Sequence, residues 1–316
     1  MTMTKSLAAE PASLGRVMSP SGTDYSKALA VRERRFATAL LAPAFLALMA
    51  TTTFPLLYLI WTSVHRMDLA MPFADGFIGF DNYRELLQDS RFWSSLAVSL
   101  IYTGTTVVLQ VVIGLALALL VMGMKHGQGL FRIIAILPVV LSPAVVGMVW
   151  RTFMLAPEFG IVDYFAIMAG LGSQNWLGDP TLALVSVVVI HTWQWTPFAF
   201  MVLLASLASL PDDLYEAARI DRASAWQRFK RITLPLLRPA IVMVVIMRTM
   251  VALTAFAAIF TVTGGGPGTA TEILNLYAYR KSFTELSIGY GSALAVALLI
   301  VTVLISAVLF AVRRAR

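Results

Sequence analysis

Nine charged side chains crowd residues 211–235 (PDDLYEAARIDRASAWQRFKRITLP), a polar break between long apolar runs. Asp212, Asp213, Glu216, Arg219, Asp221, Arg222, Arg228, Lys230 and Arg231 keep helical periodicity there. Read alone, this is a charged loop between membrane helices. Bond-breaking chemistry has no comparable cluster. There is no Walker A sequence, so the chain by itself cannot cradle ATP phosphates. His65, His126 and His191 lie far apart without ligand spacing, and the absence of Cys excludes disulfides and thiolate metal sites. Arg248 is the one formal charge well inside a long apolar run. A charge at that depth is expensive and marks either a functional contact or a carboxylate on a partner.

The elements that hold these residues follow from composition and punctuation. Of the 316 residues 59% are hydrophobic and 13% charged, against about 25% charged in a soluble domain. Six spans of membrane length are expected, over about 36–64, 94–123, 131–153, 181–210, 239–262 and 288–312. Residues 1–35 are polar and basic and are expected to be a disordered cytoplasmic tail, leaving 36–316 as the membrane domain. Within 211–235 two short helices are expected. Pro211 suits a first helical position and Asp212 and Asp213 follow it. Ser224 and Gln227 form a capping box, after which Trp226 and Phe229 share a face and Pro235 and Pro239 punctuate the way to the next span. With the N-terminus inside, inner segments hold 17 of the 24 Lys and Arg, which predicts that both termini and the polar break are cytoplasmic.

The polar break also carries a resemblance. Glu216-Ala217-Ala218, Asp221, Ala223, Phe229 and Ile232-Thr233-Leu234-Pro235 resemble the coupling loop of carbohydrate ABC importer permeases, with Arg222 where that family has glycine. Gly79, Asp81, Asn82, Tyr83, Phe92 and Trp93 match a segment common before the family's second helix. Trp193 to Phe198, Arg248-Thr249, Thr263-Gly264-Gly265-Gly266-Pro267 and the last helix extend the match over about 36–314. Ala257 stands where relatives often have Asp.

The resemblance implies an all-α integral membrane protein with the type I ABC importer permease fold, in a bacterial inner membrane. It implies a second related permease, two cytoplasmic ATPases carrying ATP and Mg, an external substrate-binding protein, a carbohydrate-type substrate and no cofactor in this chain. ATPase coupling falls to Glu216, Ala217, Ala218, Asp221, Arg222, Ala223, Phe229, Ile232, Leu234 and Pro235. The helices flanking the loop would line the substrate path. On the first, Thr192, Trp195 and Phe198 recur at helical spacing, rings for sugar faces and a hydroxyl; on the second, Arg248, Val251, Ala252 and Ala255 form the matching stripe. Packing against a partner subunit explains the same stripes. A membrane enzyme would need convergent polar groups at one depth. A secondary transporter would need acids in its spans, and no expected span contains Asp or Glu. No basic, aromatic-interleaved patch points to nucleic acid.

Overall fold

The polar connectors and the Pro positions decide where each apolar run becomes a helix and where it breaks. The computed structural model describes residues 22–314, in two units, 1–57 and 58–316. In the first unit α1 (Gly22–Leu48) passes through a π-helical turn, Met49–Thr53, into α2 (Phe54–Ser63), which reaches the second unit. Thr51 and Thr52 hydroxyls donate to the Ala47 and Leu48 carbonyls at 2.9 and 2.7 Å, the back-bonding that loosens a helical ladder. The expected disordered tail is corrected over 22–35, which are helical. Ala28-Leu29-Ala30 and Arg32-Glu33-Arg34-Arg35 are strong helix formers, and their polarity masked this. Residues 1–21 of the expected tail lie outside the described residues.

In the second unit a short antiparallel ladder, β1 (His65–Arg66) on β2 (Gly76–Phe77), and α3 (Asp81–Gln88) fill the first connector. The next span, α4 (Ser90–Gly123), starts at Asp89, whose carboxylate accepts from the Arg91 N–H at 2.8 Å and from the Tyr277 and Tyr290 hydroxyls at 2.5 and 2.7 Å. α4 packs along α8 (Pro180–Ala208) through Gln110, Gly114 and Ala118. At Gly114 a Cβ would lie 2.9 Å from both the Ala199 Cβ and the Phe200 backbone nitrogen. Only glycine fits.

Among the described residues five helices are long and apolar enough to cross a membrane, and a sixth span is a pair bent by 95°. That pair, α5 (Gln128–Val140) and α6 (Pro143–Val149), corrects the expected continuous helix over 131–153. Pro143 removes a donor and forces Ser142 into extended backbone. The connector that follows contains α7 (Ile161–Met168). Fully buried Asp163 organises it, accepting from the Ser173 hydroxyl, the Trp176 indole and the Glu158 and Gln174 N–H groups at 2.6–2.8 Å.

The fifth span differs at both ends from the expected 239–262. It runs continuously through a π-helical turn, Phe229–Thr233, into α11 (Leu234–Leu253), so Pro235 and Pro239 sit inside it. It breaks after Leu253 and resumes as α12 (Ala257–Val262). The side-chain amide of Asn275 donates to the Thr254 and Ala255 carbonyls at 3.2 and 3.4 Å, which answers the groups freed by the break. Gly264 and Gly265 then turn with φ of +59° and +92°, and α13 (Leu274–Tyr279) leads to the last span, α14 (Ile288–Arg314).

Candidate functional site: the coupling loop and the mid-span polar cluster

The two expected short helices of the polar break are present. α9 (Asp212–Ile220) carries Asp212 and Asp213 in its first turn, with Pro211 at the cap rather than the first helical position. It closes with two backbone bonds, Arg222 N–H to the Arg219 carbonyl at 3.0 Å and Ala223 N–H to the Ala218 carbonyl at 2.9 Å. These form the helix stop that normally ends in glycine, and Arg222 occupies its left-handed position with φ of +56°. A non-glycine residue there costs about 1 kcal/mol. α10 (Ala225–Arg228) opens with the capping box, Gln227 N–H to Ser224 Oγ at 3.2 Å and Ser224 N–H to Gln227 Oε1 at 2.8 Å. The Trp226 and Phe229 rings stack with centroids 5.5 Å apart.

Tyr215 and Thr233 hydroxyls meet at 3.0 Å and tie α9 to the start of the fifth span. Ala218 lies on the same helical face as Tyr215 and is buried within the chain, whereas Glu216, Ala217, Asp221 and Arg222 are exposed. Ala223, Phe229 and Ile232 are half-buried, and Leu234 and Pro235 are exposed. Ile220 and Trp226, 82% and 68% exposed, add two apolar side chains to this charged surface. Sequence reasoning had not singled out Ile220.

Between the spans, Arg248 does not stand unpaired. It is buried, its Nε–H donates to Gln110 Oε1 at 2.7 Å and its Nη2 lies 3.1 Å from His191 Nε2. Its guanidinium sits over the Trp195 ring, 4.5 Å from the centroid, with Phe198 at 6.0 Å. Within its own chain it is held by two polar side chains, on α4 and α8. Beside this cluster a cavity of about 280 Å³ opens between the two helix breaks. Trp195, Phe256, His191, Gln194, Val251 and Ala255 line it, with Pro143 from the start of α6 and Thr254 from the break after α11. Gln194 is fully buried. Its amide donates to the Leu141 carbonyl at 3.0 Å, and its Oε1 has no partner among the described residues.

The structure therefore brings together Trp195, Phe198 and Arg248 and places Val251 and Ala255 on the neighbouring cavity. Ala252 is buried in packing. Thr192 departs from the expected stripe and lines a different cleft, with Val189, Trp193 and Thr196. At about 100° per residue, those positions and the His191-Gln194-Trp195 set occupy nearly opposite faces of α8. Among the described residues no group of three His, Cys, Asp or Glu is placed to hold a metal ion.

Residues 110–315 match the family model of the binding-protein-dependent transport system inner membrane component. The chain belongs to that family. It is 34% identical over 268 residues to the trehalose/maltose transport system permease MalF of Thermococcus litoralis, covering 85% of this chain and 90% of that one. It is 37% identical over 264 residues to the trehalose transport system permease SugA of Mycobacterium tuberculosis, covering 84% of each. Its fold is that of a chain in a bacterial ABC transporter involved in alginate import, with a TM-score of 0.79 and 23% identity over 90% of this chain and 97% of that one.

Family membership makes the chain a transmembrane permease component, and the residues that shape its interior are partly ones that sequence reasoning passed over. Gln110, His191 and Gln194 are the polar side chains other than hydroxyls deep in α4 and α8, and that was their available signal. The network around Glu272 had less to find it by. Glu272, fully buried, takes the Arg91 guanidinium through two bonds of 2.7 and 2.9 Å and Arg280 Nη1 at 2.6 Å, while Arg280 Nη2 also donates to the Gly264 carbonyl. This holds the glycine turn against the start of α4.

Proposed function

We propose that this chain is one of two related permeases in an ATP-driven importer of glucoside-type carbohydrates, with its termini and the 211–235 loop cytoplasmic. The carrying observation is the cavity between the two broken spans. Trp195 and Phe256 supply ring faces, and Gln194, whose Oε1 has no partner among the described residues, stands with them in the lining. Rings with a few placed polar groups suit the apolar faces and hydroxyls of a sugar. The names of the related trehalose and maltose permeases support the same class.

In this reading cytoplasmic ATPases carry ATP and Mg and grip α9 and α10 through Glu216, Ala217, Ile220 and Trp226, all exposed. Force enters the spans because α10 and α11 form one continuous helix, which carries Arg248 and ends at the cavity. Alternating access then opens the cavity toward a docked binding protein and next toward the cytoplasm.

The test is uptake of labelled trehalose and maltose by proteoliposomes holding the full assembly and its binding protein. Gln194→Leu should raise the substrate concentration needed about tenfold while ATP hydrolysis remains. Uptake of neither sugar, with hydrolysis intact, removes the substrate class. Uptake without ATP removes the ATPase partnership.

A further inference from the structure

Arg248 decides where the proton of the neighbouring imidazole sits. A guanidinium carries five N–H donors and no acceptor. Its Nη2 lies 3.1 Å from His191 Nε2, so that nitrogen must be the acceptor and the ring proton is on Nδ1. The guanidinium is itself held in place. Its Nε–H donates to Gln110 Oε1 at 2.7 Å, and it lies over the Trp195 ring. The Gln110 amide in turn donates to the His191 carbonyl at 3.4 Å. One side chain from α4 and one from α11 thereby fix the tautomer of a residue on α8.

This leaves His191 with a donor to satisfy. The residue is buried and stands in the wall of the cavity between the two helix breaks, beside Gln194 and Trp195. Its ring is bonded through Nε2, and Nδ1 has no partner among the described residues. The ring centroid of Tyr102 is 5.2 Å away, but the Tyr102 hydroxyl makes no bond either. A buried N–H without an acceptor is costly, so the open space beside the ring is where one has to come from. Arg248 is not in the cavity lining, which makes His191 the side chain through which it can act there.

We propose that His191 Nδ1–H donates to one hydroxyl of the sugar and that Arg248 is the positioning residue that keeps this nitrogen a donor. The contact rests on the carbohydrate reading given under Proposed function. It makes His191 a determinant of specificity, because an analogue lacking that hydroxyl leaves the buried donor unpaired.

The test uses the full assembly in proteoliposomes with its binding protein. Trehalose, or maltose where only that sugar is carried, is compared with analogues lacking one hydroxyl at a time. One analogue should be carried about tenfold less efficiently, the effect of one hydrogen bond. The binding protein is the same in every arm, so a change in that penalty reports the permease. His191→Gln keeps an acceptor near Nε2 and loses the Nδ1 donor, and should cut the penalty for that analogue alone to about twofold. His191→Asn, with its shorter amide near the place of Nδ1, should retain most of it. Solid-state nitrogen NMR of the histidine-labelled assembly reads the tautomer without any variant having to transport. The signals that vanish in His191→Gln should show a protonated Nδ1 and a bare Nε2, and Arg248→Met should let the Nε2-protonated form appear. A protonated Nε2 in the unaltered assembly overturns the proposal, as does an equal penalty in the unaltered and His191→Gln assemblies. Uptake of neither sugar by the unaltered assembly instead removes the carbohydrate reading, and this contact with it.

Discussion

Replacing Gln110 by leucine keeps the volume of the side chain and removes the acceptor that holds the Arg248 Nε–H at 2.7 Å. The Arg248 side chain is buried and its second bond, to His191, is at 3.1 Å, so a charged donor would be left with no water to replace Gln110. Hydrogen bonds to charged groups contribute about 1.5–3 kcal/mol, and the orphaned charge costs more. Gln110→Leu should therefore destabilise the chain by about 3 kcal/mol. Arg248→Met should cost less, because neutral Gln110 and His191 tolerate burial better than an unpaired guanidinium does. The double variant removes both donor and acceptor and should be more stable than Gln110→Leu alone, with a coupling energy of about 2 kcal/mol. Reversible unfolding in mixed micelles measures this, followed by tryptophan fluorescence, since Trp195 lies against the guanidinium. Additive single effects, within about 0.5 kcal/mol, would refute the pairing and return Arg248 to a contact outside this chain.

Four further outcomes are expected. Ala217→Asp and Ile220→Asp, on the exposed side of α9, should abolish ATPase co-purification without altering membrane insertion, whereas Ala218→Asp should also loosen the loop because Ala218 is buried; limited proteolysis separates the two. Arg222→Gly should leave uptake within about threefold and protect the 219–224 amides from exchange, since it relieves a strained φ of +56° worth about 1 kcal/mol. Gly114→Val should separate α4 from α8 and cost about 1–3 kcal/mol, read as a lower midpoint of unfolding, because the atom it strikes first includes backbone. The Gln174 N–H and the Ser173 hydroxyl, against burial and with help from the Glu158 N–H and the Trp176 indole, hold the Asp163 carboxyl down at about 2. Its contribution to the connector is complete above the ordinary carboxylate value near 4 and is lost as pH falls from about 4 through 2, which exchange at the Glu158 and Gln174 amides should report.

The order of the spans was legible because the apolar runs are long and the polar stretches between them are short, whereas the break in the third and both ends of the fifth were not. The capping box at Ser224 and Gln227 was legible for a different reason, since its two bonds depend on residues three apart and on nothing distant. The left-handed turn at Arg222 was not legible, because arginine rarely adopts that backbone and its match to a glycine position left the turn open. What composition could not give was how the polar side chains inside the spans find one another. Arg248 and Gln110 are 138 residues apart, and Arg91 and Glu272 181. Periodicity places each on a face of its own helix and cannot say which face meets which.

The two broken spans show the same limit from the backbone side. A proline inside a membrane helix is compatible with a kink, a clean break or no visible effect, and this chain contains more than one outcome. Pro197 lies within unbroken α8 and Pro239 within α11, yet Pro143 begins a helix bent by 95° from its predecessor. The difference lies in who answers the freed carbonyl. At Leu141 the buried amide of Gln194 does so at 3.0 Å, and at Thr254 and Ala255, where no proline is present, Asn275 does the same. In hydrocarbon an unanswered carbonyl costs several kcal/mol, so a break persists only where a neighbouring side chain pays for it. Proline marked the break at 143 and nothing marked the one after Leu253; the amides that answer them sit 53 and about 20 residues away, on other elements. Gln194 thereby couples the two questions, since the residue whose amide answers the break also lines the cavity. Gln194→Glu tests this coupling directly: a carboxylate of the same shape loses the donor, so the break at Leu141 should loosen even where sugar uptake is retained.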